Sequence, residues 1–283
     1  MLEEKYQKLR QLLSSLKKVL VAFSGGVDST FLLYVSKEVL GRNNVLAVIA
    51  ESPTYPKDEI ELAKKLAQAL GVDYQVIKTE EFLDQNFVSN PNDRCFYCKR
   101  ELFMKLNILA KEKGFDCVVD GSNLDDLADY RPGSQAKQEL GVRSPLQEAG
   151  LRKEEIRQLS KTLGLSTWDK PAYACLASRI PYGTKITQDL LARIEEGEKF
   201  LRSLGFKQLR VRHHASLVRI EVENDDLGKI MSPRIMDEIA KKFEELGYTY
   251  VTLDLKGYRT GSMNETLAGV PDTGGKTFSI IVK

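Results

Sequence analysis

Apolar residues recur at Leu2, Tyr6, Leu9, Leu13 and Leu16 among lysines, glutamates and glutamines. That spacing sets them on one face and predicts an amphipathic N-terminal helix rather than a leader peptide. The pattern then changes. Residues 19–23 form a short continuous apolar run, and a helical pattern restarts near Thr30. From there helix, glycine and strand alternate. Helical stretches end at Gly41, Gly71 (spanning about 58–70) and Gly114 (about 100–113), and apolar runs follow at 45–50, 74–77 and 117–120. A glycine just past a helix accepts the left-handed conformation that ends it. Strands that are apolar throughout suit a parallel sheet covered on both faces. Their alternation with helices predicts a doubly wound α/β sheet.

A further helix, about 153–163, ends at Gly164. Residues 165–185 lose periodicity and carry Trp168, Pro171, Cys175 and Pro181; so long an irregular stretch is expected to be functional or to link domains. Trp168 reads as a packing anchor. Beyond it a helix near 188–204, β-like runs at 209–213 and 217–222, a helix near 233–246 and a strand at 248–253 predict a smaller α+β domain. The expected division is 1–170, an active-site loop at 171–186 carrying Cys175, and 187–283. The glycine-rich end from Gly269 is expected to be partly disordered.

Length and charge narrow the function. The 283 residues suit two domains. Lysine and arginine number 42 against 40 acidic residues, so no global basic field argues for bulk nucleic-acid binding. No segment approaches the roughly 20 apolar residues of a membrane span, and a cytoplasmic protein is expected. Four cysteines in a chain of this size make no disulfide framework. They read as metal ligands, catalytic groups or core residues.

The chemistry is carried first by Ser24-Gly25-Gly26-Val27-Asp28-Ser29, between the first strand and the second helix. A strand that breaks on two glycines and restarts as a helix aims free amides and a helix dipole at one spot, which suits a phosphate. The lysine of a Walker loop is missing, as is the spacing of a dinucleotide turn. Cys95 and Cys98 form a C-x-x-C placed just ahead of the helix expected from about 100, and Cys175 lies far off in the irregular stretch. Cys117, in an apolar strand, reads as core. A C-x-x-C leaves zinc, a redox dithiol and an iron–sulfur cluster open. A structural zinc site would want a fourth ligand, and the two histidines, His213 and His214, fall in the second domain.

The hexapeptide resembles the pyrophosphatase loop of the PP-loop ATPases. The resemblance implies ATP with its β,γ-pyrophosphate in the loop, held by Ser24, Gly25, Gly26, Val27, Asp28, Ser29 and Gly121, with Mg²⁺ on Asp28 and attack at the α-phosphate. Longer stretches sharpen it: residues 120–123 (DGSN), 129–133 (DYRPG), 175–183 (CLASRIPYG), 211–214 (VRHH) and 253–264 (LDLKGYRTGSMN). These are similar to the LarE-type pyridinium-3,5-biscarboxylic acid mononucleotide sulfurtransferases of nickel-pincer nucleotide cofactor biosynthesis, over nearly the whole chain. The resemblance implies that a carboxylate of the mononucleotide is adenylated and becomes a thiocarboxylate.

Two branches of that family differ in sulfur source. One sacrifices a single cysteine, which falls near Cys175. In the other, three cysteines hold a [4Fe–4S] cluster with sulfide on its open iron, and Cys95, Cys98 and Cys175 match it. Catalytic roles therefore fall on Cys175 and Asp28. Ser178, Arg179, Glu198, Arg210 and Arg212 are implied to bind the substrate's phosphate and carboxylates. Arg210 and Arg212 alternate on a β-like run and so face one side. Lys229 stands about where the family places an acid, with Asp225 or Asp226 as substitutes. Asp125, Asp126 and Asp129 read either as Mg²⁺ ligands or as a polar loop. Sulfide or a sulfur carrier and a homo-oligomer are the implied partners, without membrane or nucleic acid. The competing functions are a PP-loop tRNA thiolase, an amide-forming synthetase using ammonia, and a zinc-binding nucleotide sensor.

Overall fold

The computed structural model describes residues 2–127, 132–171, 173–259 and 261–265. Asp129 of the expected polar loop and the glycine-rich end lie outside the described residues. The chain divides into two compact units, Met1–Cys175 and Leu176–Lys283, so the segment 171–186 contains the division.

The first unit carries α1 (Leu2–Leu16), β1 (Val19–Ala22), α2 (Val27–Leu40), β2 (Val45–Glu51), α3 (Lys57–Ala69), β3 (Asp73–Lys78), α4 (Gln85–Val88), α5 (Arg94–Lys113), β4 (Cys117–Val119), α6 (Gly133–Glu139), α7 (Pro145–Glu148) and α8 (Lys153–Thr162). The strands lie in the order β3-β2-β1-β4, all parallel. Arg143 bridges Val119 in parallel and extends the sheet beyond β4. Alternation along the strands sends Val19, Val21, Val45, Ala47 and Ile49 into one apolar core with Phe31, Leu32, Ala63 and Ile156. It sends Leu20, Leu46, Val48 and Val118 into another with Leu102, Phe103 and Leu106 of α5. Both faces are covered, which is why these strands read as unbroken apolar runs.

From β1 the chain moves to β2 on one side, while β4 pairs on the other. That reversal of strand order opens a crevice beyond the carboxyl ends of β1 and β4, where such sheets bind ligands. The loop 24–29 follows β1 and residues 120–123 follow β4.

Helix α5 starts at Arg94, about six residues earlier than the apolar pattern predicts. Its first turn is polar and aromatic rather than amphipathic, and side-chain stacking holds it. Phe96 and Tyr97 meet edge to face at 5.4 Å, and the Arg100 guanidinium lies 5.5 and 5.8 Å from their ring centres. Cys95 and Cys98 therefore sit in the opening of a 20-residue helix, not ahead of it.

The second unit is a smaller α+β fold with α9 (Gln188–Ser203), β5 (Leu209–His214), β6 (Leu217–Val222), α10 (Leu227–Ile230), α11 (Pro233–Glu245) and β7 (Tyr250–Leu253). β5 and β6 are antiparallel, and β7 pairs parallel to β6. The Thr187 hydroxyl caps α9 by accepting from the Leu190 amide at 3.2 Å. Leu191, Ile194, Leu201, Val211, Ile220, Ile239 and Phe243 are buried. The last strand starts at Tyr250 rather than 248, because Tyr248 is buried with its hydroxyl 3.3 Å from His213 Nδ1. No described helix is long and apolar enough to cross a membrane.

Candidate functional site

The loop between β1 and α2 is shaped by two close approaches. Gly25 has φ +68°, and a Cβ there would stand 3.1 Å from Ala63 Cα on α3. Gly121, after β4, lies so close to the start of α2 that a Cβ would stand 2.9 Å from the Ser29 amide nitrogen. Only glycine fits either position. The Ser24 and Ser29 hydroxyls face each other at 3.1 Å, and the Gly26 amide points at Ser24 Oγ at 3.4 Å. Val27 is buried and anchors the first turn of α2. Hydroxyls, open amides and the positive end of a 14-residue helix thus share one spot.

Asp28 faces the same crevice. Lys153, at the start of α8, donates to Asp28 Oδ2 at 2.5 Å. Asp28 Oδ1 is buried with no hydrogen-bond partner. Burial raises the Asp28 carboxyl above its ordinary range, and Lys153 pulls it partly back. An unsatisfied buried carboxylate oxygen is costly. Beside a phosphate-shaped loop it fits a hard divalent cation such as Mg²⁺. Lys170 approaches from the other side, donating to the Gly25 carbonyl at 3.1 Å and to Glu59 at 2.7 Å. Arg157 holds that segment through the Trp168 and Lys170 carbonyls. Trp168 is partly exposed, with the Lys161 ammonium 4.5 Å from its ring centre. Sequence reasoning missed both lysines; only topology brings residues 153 and 170 to the loop at 24–29.

Residues 120–123 are tied down by a buried amine. Lys137 reaches Asp120 Oδ2 at 3.2 Å, Ser122 Oγ at 2.7 Å and Ser144 Oγ at 3.0 Å. Asp125 accepts from the Lys153 amide at 2.8 Å and from Arg152 at 2.9 Å, so it caps α8. Asp126 accepts from the Asn123 amide at 2.9 Å, and its charge reaches Asp28. Both Asp125 oxygens thus accept from the opening of α8.

Cys95, Cys98 and Cys175 share one neighbourhood in the first unit. The charges of all three and of Glu81 reach the half-buried Tyr55 phenol and, on top of burial, push it well above the usual range. Burial, with Glu81 next, pushes the Cys98 thiol strongly upward. Cys95 is exposed, while Cys98 and Cys175 are half-buried. As the side chains stand, no three described Cys, His, Asp or Glu groups could hold a single metal ion. Thiolates on separate irons of a cluster stand farther apart than ligands sharing one ion. Cys117 is half-buried on β4 and packs against the core.

The arginines gather in the second unit. Arg179, fully buried in the turn Leu176–Arg179, forms a fork with Glu198 of α9 at 2.8 and 3.1 Å. It also donates to Ser178 Oγ at 2.9 Å. Glu198 takes further bonds from Arg202 and from the Val211 amide. Arg210 and Arg212 point to the same side of β5, and both are buried. Arg212 forks onto Glu221 at 3.0 and 2.8 Å and reaches the Ser178 carbonyl and Ser262. Arg210 lies over the Tyr258 ring at 4.8 Å. Burial and the nearby Arg179 charge depress its guanidinium to about 10.

Lys229 stacks its ammonium on Phe206 at 4.5 Å. Asp225 and Asp226 occupy the 3-10 turn Asn224–Asp226. Besides Glu198, Glu221 and Asp254 meet the arginines, Asp254 facing Arg219 and Arg259. Sequence reasoning missed both. The alternation Arg219-Ile220-Glu221, opposite Arg210 and Arg212, was the available signal.

A parallel α/β sheet with this loop at its switch point defines a PP-loop ATPase, an ATP-dependent enzyme. The NAD synthase family model matches residues 2–114. The chain is 45% identical to an uncharacterised protein of Synechocystis, over 94% of this chain and 99% of that protein. It is 42% identical to pyridinium-3,5-bisthiocarboxylic acid mononucleotide synthase of Lactiplantibacillus plantarum, over 90% of this chain and 92% of that one. Similarity to the tRNA-5-methyluridine(54) 2-sulfurtransferase of Pyrococcus horikoshii is 30%, over 42% of this chain and 39% of that protein. The chain belongs to the LarE family, that of the Lactiplantibacillus synthase.

Proposed function

We propose that this enzyme is an ATP-dependent sulfur transferase that converts carboxylates of pyridinium-3,5-biscarboxylic acid mononucleotide to thiocarboxylates, with sulfur delivered through a [4Fe–4S] cluster on Cys95, Cys98 and Cys175. The observation that carries the reading is the convergence of these three thiols around Tyr55, in the unit that holds the ATP loop. A family member that gave up only Cys175 would have no use for Cys95 and Cys98 in the opening of α5. The tRNA thiolase reading draws on similarity over less than half of each chain.

The carboxylate is a poor electrophile because its leaving group is oxide. Transfer to the α-phosphate of ATP makes AMP the leaving group, with pyrophosphate released. Loop amides and the Ser24 and Ser29 hydroxyls bind the pyrophosphate, and Asp28 Oδ1 holds Mg²⁺. Lys153 leaves Asp28 for a phosphate oxygen as nucleotide enters. When bound, the cluster supplies an iron position open to sulfide and hence a sulfur nucleophile. Arg179, Arg210, Arg212 and Ser178 bind the substrate's phosphate and carboxylates, and Glu198 holds Arg179 in its fork.

Anaerobic incubation of the reconstituted enzyme with ATP, Mg²⁺, sulfide and the dicarboxylate mononucleotide, read by mass spectrometry, tests this. The expected product carries sulfur for oxygen, with one AMP per exchange. Protein without iron or labile sulfide after reconstitution overturns the cluster. Cys175 converted to dehydroalanine in step with product moves the sulfur source to that residue.

A further inference from the structure

The two glycines that open the ATP loop leave one peptide free to turn over. Gly25 has φ +68° and Gly26 φ −78°, and neither carries a Cβ to limit rotation. The peptide between them is trans, so its C=O and N–H point opposite ways. Turned one way, it aims the Gly26 N–H toward Ser24 Oγ and the phosphate spot, as it does here. Turned over, it puts a carbonyl oxygen there instead. An amide attracts phosphate and a carbonyl repels it, so this orientation decides how well the loop binds. The Gly26 carbonyl is fixed by α2, accepting from the Thr30 amide at 3.0 Å and from the Ser29 hydroxyl at 3.3 Å. The Gly25 carbonyl lies outside that helix and accepts from Lys170 at 3.1 Å.

The lysine is itself firmly placed. Its ammonium also donates to Glu59 Oε2 at 2.7 Å, and 15% of its side chain is exposed. Arg157 of α8 donates to the Trp168 carbonyl at 2.6 Å and to the Lys170 carbonyl at 2.8 Å. Pro171 follows and disfavours helical backbone at Lys170. Glu59 and Ala63 stand four apart on α3 and so share a face. Ala63 is the residue against which Gly25 packs, its Cα 3.1 Å from where a Cβ would stand. One face of α3 thus receives both the glycine and the lysine that grips its carbonyl.

We infer that Lys170 is a positioning residue for the ATP loop, holding the Gly25–Gly26 peptide in the orientation that turns the Gly26 amide toward the phosphate. This rests on the loop at 24–29 being the nucleotide site and is independent of the sulfur chemistry. A bond from an ammonium to a carbonyl is charge-assisted and strong enough to hold a peptide between two glycines. Glu59 balances the ammonium, so Lys170 stays on the carbonyl when pyrophosphate enters.

The test uses full-length wild type, Lys170→Met, Lys170→Arg and, to cover a poorly folding single variant, Lys170→Met with Glu59→Gln. Calorimetry reads binding of Mg²⁺–pyrophosphate and, separately, of AMP. Lys170→Met should lose about ten- to hundredfold on pyrophosphate, the scale of one lost donor to a charged group. It should keep its AMP affinity, and Lys170→Arg should restore pyrophosphate binding. The hold itself is read without ligand. Labelling with [1-¹³C, ¹⁵N]glycine leaves a directly bonded ¹³C–¹⁵N pair in the peptides Gly25–Gly26 and Gly274–Gly275, and Gly274→Ala removes the second. In magic-angle-spinning spectra the Gly25–Gly26 signal should move or split in Lys170→Met and stay in place in Lys170→Arg. Unchanged pyrophosphate affinity in Lys170→Met overturns the inference and leaves the ATP loop standing. So does a loss of affinity with the peptide signal unmoved, which makes the lysine a direct phosphate contact. Equal losses for AMP and pyrophosphate reduce the lysine to a folding role and overturn it as well. Wild type that binds no Mg²⁺–pyrophosphate overturns the loop reading and this inference with it.

Discussion

Removing Glu198 should strongly destabilise the second unit. Its side chain is about 1% exposed and accepts from Arg179, whose side chain is fully buried. It also binds Arg202 and the Val211 amide of β5. In Glu198→Ala the Arg179 guanidinium stays buried with its carboxylate gone. Breaking a buried pair from one side costs about 3–5 kcal/mol. The lost bonds to Arg202 and the Val211 amide push toward the upper end. A domain typically has about 5–15 kcal/mol of stability, so the loss is a large share of that reserve. Arg179→Met with Glu198→Ala removes both charges and should recover more than about half of the loss, since the pair itself is worth little once neither partner is stranded. Urea unfolding, followed by circular dichroism and by fluorescence, reads the four proteins of this cycle. A loss below about 1 kcal/mol in the single variant, the value of an exposed pair, would refute the reasoning. So would a double variant no more stable than Glu198→Ala.

Other perturbations bear on the ATP loop and the second unit's core. Lys153→Met should raise the ATP dissociation constant about ten- to hundredfold, from one lost charge-assisted bond of about 1.5–3 kcal/mol, by calorimetry; unchanged affinity excludes the exchange of Lys153 onto phosphate. Gly121→Ala forces a methyl to within 2.9 Å of the Ser29 amide and should cost about 1–3 kcal/mol along with ATP binding, whereas Gly164→Ala, with nothing near its Cβ, should leave ATP binding intact. Asp28 is raised by burial, so it takes up a proton above the ordinary value of 3.8. Mg²⁺–ATP affinity should therefore be full at neutral pH and fall as pH drops toward that raised value, and Asp28→Asn should bind weakly with no such fall. His213 is lowered by burial first, then by Arg193 and His214. Its neutral form is favoured on folding, so its contribution to stability is full above the ordinary value of 6.5 and is lost as pH falls below it; His213→Gln should flatten that limb of the pH–stability curve.

The sheet was legible because its strands are buried on both faces and its helices end on glycines such as Gly41 and Gly114. The ATP loop was legible because six adjacent residues make it. The start of α5 was not, since an aromatic and arginine stack replaces the apolar stripe that marks a helix. Lys153 and Lys170 were invisible for a different reason: each reaches its partner across more than a hundred residues, and nothing local announces where a lysine points. The arginine forks lay between these cases. Arg210 and Arg212 showed their common side by alternation, but which acids met them depended on strand pairing and on the turn at Asp254.

The Lys153–Asp28 pair gives the loop carboxylate an internal counter-ion. The protein's own ammonium sits on the carboxylate that is proposed to hold the metal, so that carboxylate's charge is already balanced. Arrival of Mg²⁺ with nucleotide is then an exchange of one cation for another, with the displaced ammonium finding a phosphate. Free Mg²⁺ gains far less, because it evicts the lysine and offers it no anion. The site thereby favours the metal–nucleotide complex over the free metal.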